Sequence, residues 1–134
     1  MSFPPPDAPL THLLVVSDIS RAIEFYRDVL GAELDREYGS TSAVFSFNGA
    51  WILLVTGGGP TPDKPGVAFA SPADPKLLSH AMTIRVPNCR EAYRTLVERG
   101  AEFLIPPIDN GPEIRCFFRN PDGHLFEINE FRAG

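Results

Sequence analysis

The stretch THLLVVSDISRAIEFYRDVLGAEL, residues 11–34, places a strand pattern directly before a helix pattern. Residues 11–17 are a β-branched apolar run that is typical of a strand. Ser20 can cap a following helix, and Gly31 can end it. The apolar residues between them fall on one helical face, namely Ala22, Ile23, Tyr26, Val29 and Leu30. The stretch therefore predicts a strand followed by an amphipathic helix.

Three shorter strand patterns follow the helix, at residues 32–38, 41–47 and 51–55. The turn signals Gly39-Ser40 and Asn48-Gly49 separate them. The first half of the chain is therefore predicted to have the order βαβββ.

The second half repeats this order. Residues 79–86 have a strand pattern, and Asn88 with Glu91 forms a capping box for a helix that ends at Gly100. That helix is predicted to bury Ala92, Leu96 and Val97. Further strands are predicted at residues 101–104, 114–119 and 124–130.

Matched landmarks in the two halves indicate an internal duplication. Gly31 and Gly100 are 69 residues apart (100 − 31), and His12 and His80 are 68 apart (80 − 12). We expect a single α+β domain over 1–134, with one module over about 8–56 and another over about 79–132. The Pro- and Gly-rich connection between them, 57–78, is either a lid over a cavity or mere linkage.

Composition restricts the function classes. With 134 residues, 43% hydrophobic and 22% charged, the chain can bury one core, and a net charge of −5 gives no basic stripe for nucleic acid. A small molecule is the expected partner. The chain has no long apolar run and no signal-peptide pattern at its start, so we expect a cytoplasmic protein that does not enter membranes. Cys89 and Cys116 are expected to be free thiols.

Two of the three histidines and one glutamate are candidate metal ligands. Strand alternation places His12 with Leu14 on one face and His80 with Met82 on another, so the two imidazoles could meet in one concavity. Glu127 shares a strand face with apolar neighbours, where its carboxylate needs exposure, a partner or a cation. Such a set of donors suits Fe(II), Mn(II) or Zn(II), with Ni(II) or Co(II) possible. For each histidine alone, an ordinary structural role is the alternative.

Four segments also carry a family resemblance: His12 with Val16-Ser-Asp18, Phe25-Tyr-Arg-Asp-Val-Leu-Gly31, His80, and Asn120-Pro-Asp-Gly-His-Leu-Phe-Glu127. With them the chain resembles the vicinal oxygen chelate superfamily over nearly its whole length. This superfamily includes glyoxalase I, extradiol dioxygenases, fosfomycin-resistance enzymes and bleomycin-binding proteins. The resemblance implies a glyoxalase-like fold, in which two βαβββ modules form an open, curled mixed sheet around a central cavity.

The same resemblance implies metal ligation by His12, His80 and Glu127, with Glu127 also catalytic. It implies a metal-dependent lyase, transferase or dioxygenase that chelates vicinal substrate oxygens, and a homodimer. Where glyoxalase I carries a glutamate, this chain has Leu53, so the base of glyoxalase-type isomerisation is missing. The alternative is a metal-free small-molecule or drug-binding protein of the bleomycin-resistance type, and a third possibility is an interaction domain without activity.

Three further residues are candidates for substrate binding. Arg115 could bind an anionic group or be a solvated arginine, and Trp51 could contact a ligand or anchor the core. Phe117 and Phe118 must point opposite ways, and Phe117 is taken as the cavity wall. His124 follows a turn glycine and is left out of the ligand set.

Overall fold

The computed structural model describes residues 3–132, which divide into two compact units. The first unit comprises the chain up to Arg27 together with Gly31–Ala70, and the second comprises Asp28–Leu30 and the chain from Ser71 onward. Each unit combines a mixed β-sheet with helical segments, which confirms the predicted α+β class. None of the helices within residues 3–132 is long and apolar enough to cross a membrane.

The first half of the chain has the predicted order βαβββ. Its elements are β1 (Thr11–Val16), α1 (Ile19–Glu24) continued by a π-helical turn (Phe25–Val29), β2 (Glu33–Tyr38), β3 (Ser42–Phe47) and β4 (Ala50–Thr56). The strands form one sheet in the order β1-β4-β3-β2, with β1 parallel to β4 and the other pairs antiparallel.

Helix α1 begins two residues earlier than predicted from a cap at Ser20. Its N-cap is Asp18, whose carboxylate accepts a hydrogen bond from the backbone N–H of Arg21 at 3.1 Å, so Ser20 lies inside the helix. Both residues are good caps, and the extended backbone of Asp18 decides between them. The helical segment ends before Gly31, which has φ 78, as predicted.

The core of the first unit lies between its helix and one face of its sheet. Phe45, Ile52 and Leu54 are fully buried on that face. The Tyr26 ring lies 5.7 Å from that of Phe45, which identifies this as the helix side. Residues that alternate with them, such as Trp51 and Leu53, point to the other side.

The second half of the chain repeats the pattern with one addition. Its elements are β5 (Ala81–Arg85), α2 (Cys89–Glu98), β6 (Glu102–Phe103), β7 (Ile108–Asp109), β8 (Glu113–Arg119) and β9 (Leu125–Phe131). The strand order is β5-β9-β8-β6, with β5 parallel to β9 and with β7 paired to β8. Strand β7 has only two residues and was not predicted from the sequence.

Helix α2 begins as predicted, because the Asn88 side chain accepts a hydrogen bond from the Glu91 N–H at 3.0 Å. A stack of rings joins this helix to the sheet, with centroid distances of 4.7 Å (Tyr93–Phe103), 5.0 Å (Phe103–Phe118) and 5.3 Å (Phe118–Phe126). The predicted burial of Val97 is wrong, since it is 45% exposed. Tyr93, one helical turn earlier, supplies the contact instead.

The two cysteines are free thiols, as predicted. Both are buried, and their Sγ atoms lie 4.0 Å apart although the residues are 27 positions apart in sequence. The Cys89 thiol also faces the carbonyl of Ile128 at 3.7 Å.

Strand β2 is an edge strand of the first sheet, because β3 is its only partner within residues 3–132. Apart from the half-buried Leu34, its residues are exposed. Asp35, Arg36 and Glu37 follow one another along it, and the pairing with β3 is interrupted by a register shift between Leu34 and Arg36.

Candidate functional site

The two faces of the second sheet differ in chemistry. One face carries Phe118 and Phe126 and packs toward α2. In the strand register, Thr83 and Phe117 flank Glu127, while Arg85 and Arg115 flank Asn129, all on the opposite face. We call this second set of six residues the polar face: Thr83, Arg85, Arg115, Phe117, Glu127 and Asn129.

Glu127 is a buried carboxylate with two partners on the polar face. It is 9% exposed. The Asn129 side-chain Nδ2 donates to Glu127 Oε1 at 2.8 Å, and Arg115 Nη1 lies 3.8 Å from Glu127 Oε2. An amide donor and a nearby guanidinium therefore offset the cost of burying this charge.

Arg115 links several groups on this face. Its Nη1 lies 3.1 Å from Glu113 Oε1, and its guanidinium lies 5.6 Å from the centre of the Phe117 ring. The Arg115 side chain is 45% exposed. It is thus partly desolvated and partly available to a ligand.

Phe117 and Phe118 point to opposite faces, as predicted from strand alternation. Phe118 is fully buried in the core, whereas Phe117 is half-buried on the polar face. A cavity of about 310 Å³ lies beside Phe117 and Arg115, with Ile105 and Ile108 on its wall. The predicted substrate-binding pair therefore lies at a cavity within the second unit.

Trp51 and His12 lie in the first unit on opposite faces of its sheet. Trp51 is half-buried, and it is in register with Thr11 and Ser46 on the face away from the helix. His12 is exposed and in register with Ile52, so it belongs to the row on the helix side. The position of Trp51 leaves it available as a ligand contact.

His80 and His124 lie near the starts of β5 and β9. His80 is exposed and directly precedes β5. The Asn120 side chain accepts from the His124 N–H at 2.9 Å, and its amide nitrogen lies 3.0 Å from His124 Nδ1. Burial lowers the pKa of His124, nearby His80 lowers it further, and Asp122 opposes the shift. The contacts of His124 are therefore with the turn that begins at Asn120.

The two candidate histidines do not occupy equivalent places in the repeats. His12 precedes the N-cap Asp18 by six residues (18 − 12), whereas His80 precedes the N-cap Asn88 by eight (88 − 80). The spacing of 68 residues between the histidines thus differs from the 70 between the caps (88 − 18). The offset between the histidines is close to that between the repeats, but relative to the helix N-caps the two histidines differ by two positions.

The sequence matches the family described as Glyoxalase/Bleomycin resistance protein/Dioxygenase superfamily over residues 10–128. The chain belongs to this superfamily. Curated relatives agree with the assignment. A protein of Lysinibacillus sphaericus (strain C3-41) named "Metallothiol transferase FosB" is 30% identical over 125 residues, which are 90% of this chain and 80% of that protein.

A second relative matches over a shorter segment. The protein of the same name from Staphylococcus epidermidis is 54% identical over 39 residues. This segment spans 29% of the present chain and 27% of that protein. The local identity supports membership of the superfamily.

Solved structures of the glyoxalase superfamily share the fold. A glyoxalase/bleomycin resistance protein/dioxygenase from Nocardioides has a TM-score of 0.75 at 24% identity, covering 100% of this chain and 87% of that one. An antibiotic binding protein, TnmS3 from Streptomyces sp. CB03234, has a TM-score of 0.65 at 20% identity, covering 93% and 96%. These likenesses confirm the glyoxalase-like fold alone.

The three candidate metal ligands, His12, His80 and Glu127, have different surroundings. Among residues 3–132, no group of three or more His, Cys, Asp or Glu side chains is placed to hold a metal ion. His12 lies on the helix-side row of its sheet, and Glu127 already has an amide donor and a guanidinium beside it. A guanidinium next to a carboxylate competes electrostatically with a cation.

Sequence reasoning did not identify Asn129 as a site residue. It lies two positions after Glu127 on the same strand face, is 5% exposed, and holds the Glu127 carboxylate. The i and i+2 spacing of two polar residues in an otherwise buried strand was the available signal.

Proposed function

We propose that this superfamily member binds a small molecule at the polar face of its second sheet and needs no metal to do so. The observation that carries the proposal is the pairing of buried Glu127 with Asn129 and Arg115 beside a cavity. The carboxylate is compensated by the protein's own groups, so it requires no cation.

The composition of the cavity wall supports this proposal. Ile105, Ile108 and Phe117 supply apolar surface, while Arg115 supplies a directional cation at its edge. Small-molecule sites generally have mostly apolar walls with a few polar groups, in volumes of about 300–1,000 Å³. The cavity of about 310 Å³ lies at the lower end of that range and suits a compact ligand.

The name of one structural neighbour also favours binding. TnmS3 is described as an antibiotic binding protein and has the same fold. Binding of a small compound is therefore a function that this fold can perform. The proposal for the present chain rests on its own cavity and uses this neighbour only as a precedent.

Protein-observed NMR tests the proposal. Anisole, a small neutral aromatic compound, is titrated to millimolar concentration into the ¹⁵N-labelled full chain. We expect amide shifts that cluster along β8 and β9 around Phe117 and Glu127. Phe117→Ala should weaken binding about fivefold or more, because it removes an aromatic wall of the cavity.

Val97→Ala is the matched control, because Val97 is an exposed apolar residue on α2. This variant should bind as the parent does. Absence of clustered shifts in the parent, or equal affinity in the Phe117→Ala variant, would refute the polar face as the binding site.

A second candidate function is a metal-dependent enzyme of the transferase, lyase or dioxygenase type. The 30% identity to a protein named metallothiol transferase favours it. Its ligands would be His12, His80 and Glu127, and the metal would be Fe, Mn, Zn, Ni or Co. Within the first unit, His12 is exposed and shares its row with Ile52.

Elemental analysis of untagged protein discriminates the two candidates. Near one equivalent of a transition metal, lost in His80→Ala and in Glu127→Gln variants of verified fold, would favour the enzyme. A parent that stays empty after incubation with Mn(II), Fe(II), Zn(II), Ni(II) and Co(II) would favour metal-free binding.

We also propose that the protein is a homodimer. Sedimentation velocity measures this oligomeric state directly.

A further inference from the structure

The side-chain oxygen of Asn129 is a buried acceptor for which no donor occurs among residues 3–132. Its Oδ1 makes no hydrogen bond, although the residue is 5% exposed. Buried polar atoms in native proteins are satisfied with few exceptions, and an exception calls for an explanation. Asn129 belongs to the polar face and is in register with Arg115, which lines the cavity, so the acceptor lies one strand away from the proposed ligand site.

The orientation of this amide is fixed by its neighbour. Asn129 Nδ2 donates to Glu127 Oε1 at 2.8 Å, and an ionised carboxylate can only accept. Rotating the amide by 180° would place two acceptors against each other. Oδ1 is therefore held away from Glu127 and is left as an acceptor for an incoming donor.

The charges around Asn129 balance. In the strand register, Arg85 flanks it from β5 and Arg115 flanks it from β8. Glu127 lies on the same strand, and Glu113 forms an ion pair with Arg115. These two arginines and two glutamates carry no net charge between them, and Oδ1 is itself an uncharged acceptor. A neutral O–H or N–H donor fits it best.

A ligand can reach the acceptor if a flanking side chain moves. Arg115 is suited to this, because its side chain is 45% exposed and its ion pair with Glu113 is at the surface. Such exposed pairs contribute little and break readily. Arg115 lines the cavity and is in register with Asn129, so we take movement of its side chain as the route by which a ligand in the cavity reaches Oδ1.

We propose that Asn129 Oδ1 accepts a hydrogen bond from a neutral hydroxyl or N–H group of the ligand, and so selects compounds that combine an apolar or aromatic body with such a donor. This inference rests on the proposed small-molecule binding at the polar face. Asn129 is thereby a specificity-determining residue, whereas Phe117 contacts the apolar body.

The experiment compares phenol with anisole, which has the same ring but a methyl ether in place of the hydroxyl. Each is titrated into ¹⁵N-labelled parent protein by NMR. We expect phenol to bind about five- to tenfold more tightly, because one buried hydrogen bond to a neutral group distinguishes them. The side-chain NH₂ signals of Asn129 should shift with phenol and much less with anisole.

Asn129→Leu removes the acceptor in nearly the same volume, and the preference for phenol should disappear. Thr95→Val on α2 removes an exposed hydroxyl elsewhere in the unit, and should leave the preference unchanged. The comparison within the parent protein does not depend on whether the Asn129 variant folds.

The outcomes separate this inference from the proposed function. Equal binding of phenol and anisole, with shifts at Phe117 and Arg115, overturns the role of Asn129 and leaves small-molecule binding in place. If neither phenol nor anisole produces clustered shifts, both the role of Asn129 and the proposed small-molecule binding are overturned. A preference for phenol that persists in Asn129→Leu also overturns the inference, since another group would then be the acceptor.

Discussion

Replacing the adjacent residues Phe117 and Phe118 by alanine should have opposite consequences. Phe118 is fully buried and stacks between two rings, Phe103 at 5.0 Å and Phe126 at 5.3 Å. Phe117 is half-buried on the polar face. Phe118→Ala should therefore lower the free energy of unfolding, while Phe117→Ala should lower ligand affinity.

The magnitude for Phe118 follows from its surroundings. Burial of a phenylalanine side chain contributes about 1.5–3 kcal/mol, and each aromatic pair adds about 0.5–1.5 kcal/mol. With two ring partners, Phe118→Ala should cost about 3–5 kcal/mol, the range seen for such core truncations. Phe117 is only half-buried, so its truncation should cost roughly 1 kcal/mol.

Urea unfolding monitored by circular dichroism measures both values. Phe118→Leu is a milder variant, expected to lose about 1–2 kcal/mol, and it remains measurable if the alanine variant does not fold. Equal losses for Phe117→Ala and Phe118→Ala would contradict the weaker burial of Phe117 on the polar face. The assignment of the polar face would then fail.

Two further predictions concern the helix start and the buried thiols. Asp18→Ala should destabilise the protein by about 1 kcal/mol in urea unfolding, whereas Ser20→Ala should change it by less than about 0.5 kcal/mol, since Asp18 is the N-cap; the reverse order would contradict the cap assignment. Burial raises the pKa of the Cys116 thiol from 9.0 to about 12, and the neighbouring Cys89 adds to this shift. The protonated thiol therefore contributes its full stability below pH 9, and this contribution is lost as the pH rises toward 12. The unfolding free energy should thus fall less steeply above pH 9 in Cys116→Ala than in the parent, and equal slopes would contradict the burial of this thiol.

Periodicity in the sequence was sufficient to predict the secondary-structure order. Long alternating or helical patterns, such as residues 11–17, locate an element to within one or two positions. Strand β7 was not predicted, because its two residues lie between Pro107 and Gly111, in a stretch whose proline and glycine are typical of a loop. The proximity of Cys89 and Cys116 could not be predicted either, since it depends on how α2 packs on the sheet.

The candidate site was predictable only in part. Alternation correctly placed Phe117 and Phe118 on opposite faces, and Arg115 follows the same parity as Phe117. The sheet faces of the two histidines were harder to predict, because a shift of one residue moves a side chain to the other face of a sheet. The sequence does not reveal that His12 shares a row with Ile52, which only the strand register determines.

The charged strand β2 has a consequence for assembly. An uncovered sheet edge offers unpaired backbone groups that can template the strand of another chain. Side chains of both signs at Asp35, Arg36 and Glu37, together with the interrupted pairing beside them, make a continuous intermolecular sheet at this edge unfavourable. Any homodimer should therefore form through another surface, and a variant with these three charges neutralised should be prone to fibrillar aggregation at high concentration.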